Sequence, residues 1–240
     1  MRLGILIVGS LYWDRSPVRC VWRQNRLTRT GERHVRVPIR YGRRSDKRGN
    51  TFTMVFSRSC SEPAKLGTGL VVPTRAECCD PAHLLQEAEH LWAAERRSEQ
   101  VGDICASWGA VCILQNPDVT PPEEVLKAWQ TRIKATGNSY RPLATADGEE
   151  QLVDARTGTA LYSWPIDDET KEPLRGFDLL LMTATAPTLN RRQYPTAKQI
   201  ADAWRTDKGE NVLYFHSNRH HGITTFQDNE ILSALRSEPV

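Results

Sequence analysis

Six residues near the start of the chain, Leu3-Gly4-Ile5-Leu6-Ile7-Val8, run without a polar interruption into Gly9-Ser10. A strand with one wet face alternates polar and apolar residues. This one does not, so it predicts a strand covered on both faces and closed by a turn, the signature of a mixed α/β protein. The run is far shorter than the roughly 20 residues that cross a bilayer. No small-residue cleavage site precedes Trp13-Asp14-Arg15, so neither a membrane helix nor a secretory leader is expected and the expected address is cytoplasmic. The cysteines, at positions 20, 60, 78, 79, 105 and 112, show no C-x-x-C spacing and read as reduced bystanders. With 39% hydrophobic residues, 25% charged and 29 Gly plus Pro in 240, collagen-like and disordered compositions are excluded.

Further strands are predicted over His34 to Tyr41, Asn50 to Ser57, Gly67 to Pro73, Trp108 to Leu114, Phe177 to Ala186 and Asn211 to Phe215. The first two form a hairpin with a basic tip. Asp80-Pro81 is an N-cap followed by proline at the first helical position, opening a helix to about Arg97. Leu84, Ala88 and Leu91 mark its buried stripe, and Glu95 falls within about 20° of Leu84 at 100° per residue, so a carboxylate ends the stripe. Thr120-Pro121-Pro122-Glu123 and Thr196-Ala197-Lys198-Gln199 read as capping boxes, and Asp228 to Arg236 as a last amphipathic helix. From Ala135 to Glu172 the pattern weakens into a long loop or weak hairpin. The expected organisation is a domain over 1–134, a loop-rich connection over 135–176, and a C-terminal α/β extension over 177–240 that packs on the first domain.

Charge is lopsided. Residues 1–58 carry 14 Lys and Arg against three acids, so they either face the acidic remainder or present a positive surface to an anion. Arg40, Arg43, Arg44 and Arg48 around Tyr41 are the candidates for gripping phosphates, but no nucleic-acid module accompanies them and nucleic acid is not the expected partner. G-x-S-x-G, G-x-x-x-x-G-K-[ST] and G-x-G-x-x-G are all absent from the sequence, which removes α/β-hydrolase, kinase and dehydrogenase readings.

Gly9-Ser10-Leu11 after an apolar strand, followed by a helix bearing Leu91-Trp92-Ala93-Ala94-Glu95, resembles the gamma-glutamyl cyclotransferase-like family. The resemblance covers roughly residues 3–115. It implies a small twisted β-barrel flanked by helices and a small-molecule or peptide substrate bearing a carboxylate. It further implies backbone around Val8, Gly9, Ser10 and Leu11 that grips that carboxylate, Glu95 as the group that moves the proton, and no metal or cofactor. Where the family usually has tyrosine and aspartate, this chain has Val8 and Trp92.

The residues agree with that chemistry without requiring it. Successive amides of a Gly-Ser turn form a concave donor set for a carboxylate, and Ser10 adds a hydroxyl. Closing a five-membered lactam needs a base for the α-ammonium and an acid for the leaving amine, and one carboxylate serves both. Gly9-Ser10 is equally an ordinary strand exit, and Glu95 equally a solvated acid beside Arg96 and Arg97. Tyr214 to Gly222 is the densest polar cluster elsewhere. In it Asn218, Arg219 and His220, with Arg48 from the basic tip, are candidates for a second anionic group, while His216 and His220 have no adjacent acid and are not expected to hold a metal. The expected function is cyclotransferase-type cleavage of a gamma-glutamyl amide to 5-oxoproline and an amine. The alternatives are a non-catalytic binding module with the same anion pocket, motivated by Val8 and Trp92, or an adaptor that uses the basic quarter to bind nucleic acid or protein.

Overall fold

The structure is a computed structural model that describes residues 1–45, 51–76, 80–137, 151–190, 193–206 and 210–237. Arg48, Cys78 and Cys79 lie outside the described residues. The elements are β1 (Leu3–Ile7), α1 (Pro17–Arg26), β2 (Arg33–Val37), β3 (Ile39–Ser45), β4 (Thr51–Phe56), β5 (Gly67–Pro73), α2 (Pro81–Arg96), β6 (Cys105–Ala106) and β7 (Gly109–Gln115). They continue with α3 (Glu123–Ala135), β8 (Val153–Asp154), β9 (Thr159–Ala160), β10 (Ile166–Asp167), β11 (Leu179–Thr185), α4 (Ala197–Thr206), α5 (Glu210–His220) and α6 (Asp228–Arg236).

The fold is mixed α/β, built on a sheet of order β10-β2-β5-β1-β11-β7-β9-β8 with β6 added on β7. As its unpolar sequence requires, β1 is an interior strand, buried along its whole length. It runs parallel to β11, with Leu3 opposite Leu179 and Leu6 opposite Met182, and antiparallel to β5, with Ile5 opposite Val72. β11 in turn pairs antiparallel with all of β7, so the stretch after residue 177 supplies a central strand of the sheet that β1 begins. Gly4 is required where the sheet meets the loop before β11, because a Cβ there would sit 2.8 Å from Phe177 and Leu180 side-chain carbons.

The barrel expectation is corrected: among the described residues the sheet is open, ending at β10 and β8, and the β3–β4 hairpin is a separate two-stranded sheet. Proline at 38 explains part of this. It has no N–H for a ladder, so the stretch expected as one strand from His34 to Tyr41 divides into β2, which pairs with β5, and β3, which pairs with β4.

α2 begins as its sequence dictates, with Asp80 accepting from the His83 amide at 2.8 Å, and buries Leu84, Ala88, Leu91 and Trp92 against β7 and β11. Trp92 stacks on Trp108 with centroids 4.8 Å apart. At α4 the expected box forms, Thr196 and Gln199 exchanging side-chain-to-backbone bonds of 2.9 and 3.2 Å. The box at Thr120 does not form, because α3 starts at Glu123 directly after Pro122 and leaves Thr120 upstream of the cap. Asn211 to Phe215 is helix rather than strand. Its short apolar run fits either period, and α5 settles it by burying Tyr214, Phe215 and Asn218 on one face, where Phe215, Trp204 of α4 and Tyr41 of β3 pack ring to ring at 5.2 to 6.4 Å.

Candidate functional site

The turn after β1 is held by its own backbone, Tyr12 donating to the Gly9 carbonyl at 3.3 Å and Asp14 to the Ser10 carbonyl at 2.9 Å. Gly9 has φ +96°, and a Cβ there would meet the Tyr214 hydroxyl at 2.6 Å, so both conformation and space demand glycine. Leu11 is buried in the core and Val8 packs against that core, and neither lines the cleft described below.

Arg19 of α1 joins the turn to the end of α2. Its side chain is 4% exposed, yet its donors are all directed: Nε to the Ala94 carbonyl at 3.0 Å, Nη1 to Ser10 Oγ at 2.8 Å, and Nη2 to the Glu95 carbonyl at 3.3 Å. The same guanidinium lies 3.4 Å from the Asp14 carboxylate and 4.0 Å from that of Glu95. Ser10 and Glu95, 85 positions apart, are therefore bridged by one guanidinium. Asp14 is also paired with Arg97, which follows α2 in a left-handed cap conformation. Burial opposes ionisation of Asp14, but the Ser16 amide with Arg19 and Arg97 outweighs it and holds the carboxyl below its ordinary value.

The C-terminal polar cluster reaches the same place. Trp13 Nε1 donates to Asn218 Oδ1 at 2.7 Å, Trp13 tilts against Tyr214 at 5.8 Å, and Tyr12 meets His221 edge to face at 5.3 Å. Burial, then His220 and Arg29, push the His221 imidazole below its ordinary pKa, so it is neutral at pH 7. At the start of α6, one oxygen of the buried Asp228 carboxyl accepts from the Thr225 amide and hydroxyl at 2.9 and 2.6 Å, the other has no hydrogen-bond partner among the described residues, and burial raises the pKa of Asp228.

Between the 12–16 loop and α5 lies a cleft of about 1200 Å³. Arg15, Arg23, Arg29, Arg97 and three histidines (His216, His220, His221) line it against a single acid, Asp14, together with Tyr12, Trp13 and Leu213. Of the residues expected to bind substrate, His220 lines this cleft. Ser10 and Asn218 stand behind its wall, one hydrogen bond from lining residues or their neighbours, and Glu95 stands two positions from Arg97. Arg219 turns away, its guanidinium over the Phe215 ring at 5.5 Å. Leu213, His216, Ser217 and His220 recur at helical spacing, the signal that identifies this face once the segment is read as helix.

The hairpin arginines expected as a phosphate grip are laid on aromatic rings: Arg40 over Tyr194 at 4.0 Å, Arg43 over Trp108 at 4.3 Å and Arg44 over Phe52 at 5.7 Å. None of the three lines the cleft. Among the described residues no helix is long and apolar enough to cross a membrane, and no three metal-ligating side chains converge.

No family model, curated protein or solved structure matches this chain.

Proposed function

We propose that the chain binds a small anionic molecule in the cleft between the 12–16 loop and α5. The excess of four arginines over a single, already paired carboxylate in its lining carries this reading. Two of those cations are committed internally: Arg23 donates to the Leu11 and Asp14 carbonyls at 2.7 and 2.6 Å, and Arg97 pairs with Asp14. Arg15 and Arg29 make no ion pair or side-chain hydrogen bond among the described residues and retain their donors for a ligand. Thermal unfolding with phosphate, pyrophosphate and L-glutamate tests it. An anion at 100 times its Kd adds about 2.7 kcal/mol, a Tm rise on the order of 5 to 10 °C for a chain of this size. Arg15→Ala with Arg29→Ala abolishes the rise, and a chain indifferent to all three anions refutes the reading.

A second reading, turnover of a gamma-glutamyl amide, is favoured by one observation: Arg19 holds the Gly-Ser turn and Glu95 to a single guanidinium. In that reaction Glu95 takes a proton from the substrate α-ammonium and the freed nitrogen attacks the γ-carbonyl carbon; the carboxyl then relays protons from the ring nitrogen to the leaving nitrogen as the bond to it breaks, so that the two protons the ring nitrogen loses depart with the amine as an ammonium. Folding the substrate on the turn makes the attack intramolecular, which lowers its barrier. Mass spectrometry of gamma-glutamyl amines incubated with the protein detects 5-oxoproline, and Glu95→Gln lowers its formation by about 10³-fold with binding largely kept. A Gln variant as active as the parent removes Glu95 from the reaction.

A further inference from the structure

An anion site needs cations, but the same cleft also carries Tyr12, Trp13 and Leu213. Leu213 is 65% exposed, the most exposed of the large apolar side chains among the described residues. A lone exposed leucine is ordinary. This one stands on the helix face that also bears His216 and His220, across from Trp13, where an ion alone gives it nothing to cover. The aromatic walls are held in place beforehand. Trp13 is fixed through its indole N–H on Asn218, itself fully buried, and Tyr12 through Glu32 at 3.1 Å and the edge of His221. Arg29 lies with its guanidinium over the Tyr12 ring at 5.3 Å, so a cation and an aromatic face meet at one side of the cleft. A ligand that uses both kinds of wall has a flat apolar body and an anionic end.

We propose that the cleft binds a nucleotide, with its phosphates on Arg15 and Arg29 and its base against Trp13 and Leu213; this rests on the reading of the cleft as an anion site. Guanidinium forks match phosphate oxygens in pairs. Stacking on an indole accepts any base, so purine and pyrimidine nucleotides bind within a few-fold of each other. A mononucleotide is favoured over a nucleic-acid strand because Arg40, Arg43 and Arg44, the described hairpin arginines that would continue a phosphate track, do not line the cleft and lie on aromatic rings.

Calorimetric titration of the full chain with ADP, pyrophosphate and adenosine separates the two readings. ADP is expected to bind at least tenfold more tightly than either fragment. Leu213→Gln, at an exposed site that leaves the fold intact by circular dichroism, weakens ADP about three- to tenfold and leaves pyrophosphate unchanged. Arg15→Ala with Arg29→Ala weakens both. Equal affinities for ADP and pyrophosphate, with Leu213→Gln silent, overturn the nucleotide proposal and leave the anion site standing. Binding of none of the three overturns both. A single-stranded oligonucleotide that binds a hundredfold more tightly than ADP, with affinity falling steeply in salt, overturns it in favour of a strand-binding groove.

Discussion

Replacing Arg19 by methionine tests the clamp that unites the turn with α2. Methionine keeps the length of the apolar stem but removes three hydrogen bonds, at 2.8, 3.0 and 3.3 Å, and two ion-pair contacts. Breaking a fully buried ion pair costs about 3 to 5 kcal/mol, mostly because the remaining charge is left without compensation. Here the stranded carboxylates are 12% and 19% exposed, and Asp14 keeps Arg97 and the Ser16 amide, so the lower end applies, about 3 kcal/mol. For a domain of this size that is a Tm loss of roughly 6 to 12 °C, with a matching fall in the urea midpoint at unchanged slope. The penalty depends on pH. Asp14 titrates below its unfolded value near 3.9, so the stability it contributes is present above that value and is lost as pH falls through the lower folded one. The difference between parent and variant is therefore full at pH 7 and shrinks below about pH 4. Arg19→Lys keeps the charge but not the fork, and recovers about half. A methionine variant within about 0.5 kcal/mol of the parent at pH 7 would show that the guanidinium is not what joins these elements.

Gly9→Ala should cost about 2 kcal/mol or more in urea unfolding, combining the positive φ with the 2.6 Å approach to Tyr214. In a Tyr214→Phe background, which lacks that hydroxyl, the cost should fall by about 1 kcal/mol; strict additivity would mean the contact is not felt. Asp228→Asn keeps the acceptor for Thr225 and cannot charge. Because burial raises the native pKa of Asp228, charging it costs the folded state progressively as pH rises from about 4, so the Asn variant should match the parent near pH 4 and exceed it by about 1 kcal/mol at pH 7 to 8. Guanidinium titrations at the two pH values decide this, and a variant less stable at pH 8 than at pH 4 relative to the parent contradicts it.

What could be read from the sequence was local. β1 follows from an unbroken apolar run, α2 from an aspartate cap with proline behind it, and α4 from a box whose two partners are three residues apart. α5 is not legible because Val212 to Phe215 is too short an apolar run to distinguish period 2 from 3.6, and the decisive spacing lies in Leu213, His216, Ser217 and His220. The cleft was not readable for a different reason: Trp13 and Asn218 are 205 positions apart, and only the packed structure puts a hydrogen bond between them. Arg19 reads as one of many cations. Its burial depends on two other places arriving together, the turn that carries Ser10 and Asp14 and the end of α2 at Ala94. The open sheet depends on β11 entering beside β1, a pairing across about 176 positions that no short window contains.

That pairing sets the order in which the molecule can be made. A chain emerging from a ribosome at about 5 to 20 residues per second displays β1 and β7 with unpaired edges for several seconds before Leu179 to Thr185 is available to fill the gap between them. Both strands are apolar on both faces, so the nascent intermediate exposes an aggregation-prone slot rather than a finished sheet. Late arrival of one strand thus makes completion of the sheet a slow, non-local step, and yield in cells should respond to holding chaperones and to translation pauses placed before residue 179 more than to substitutions on the surface.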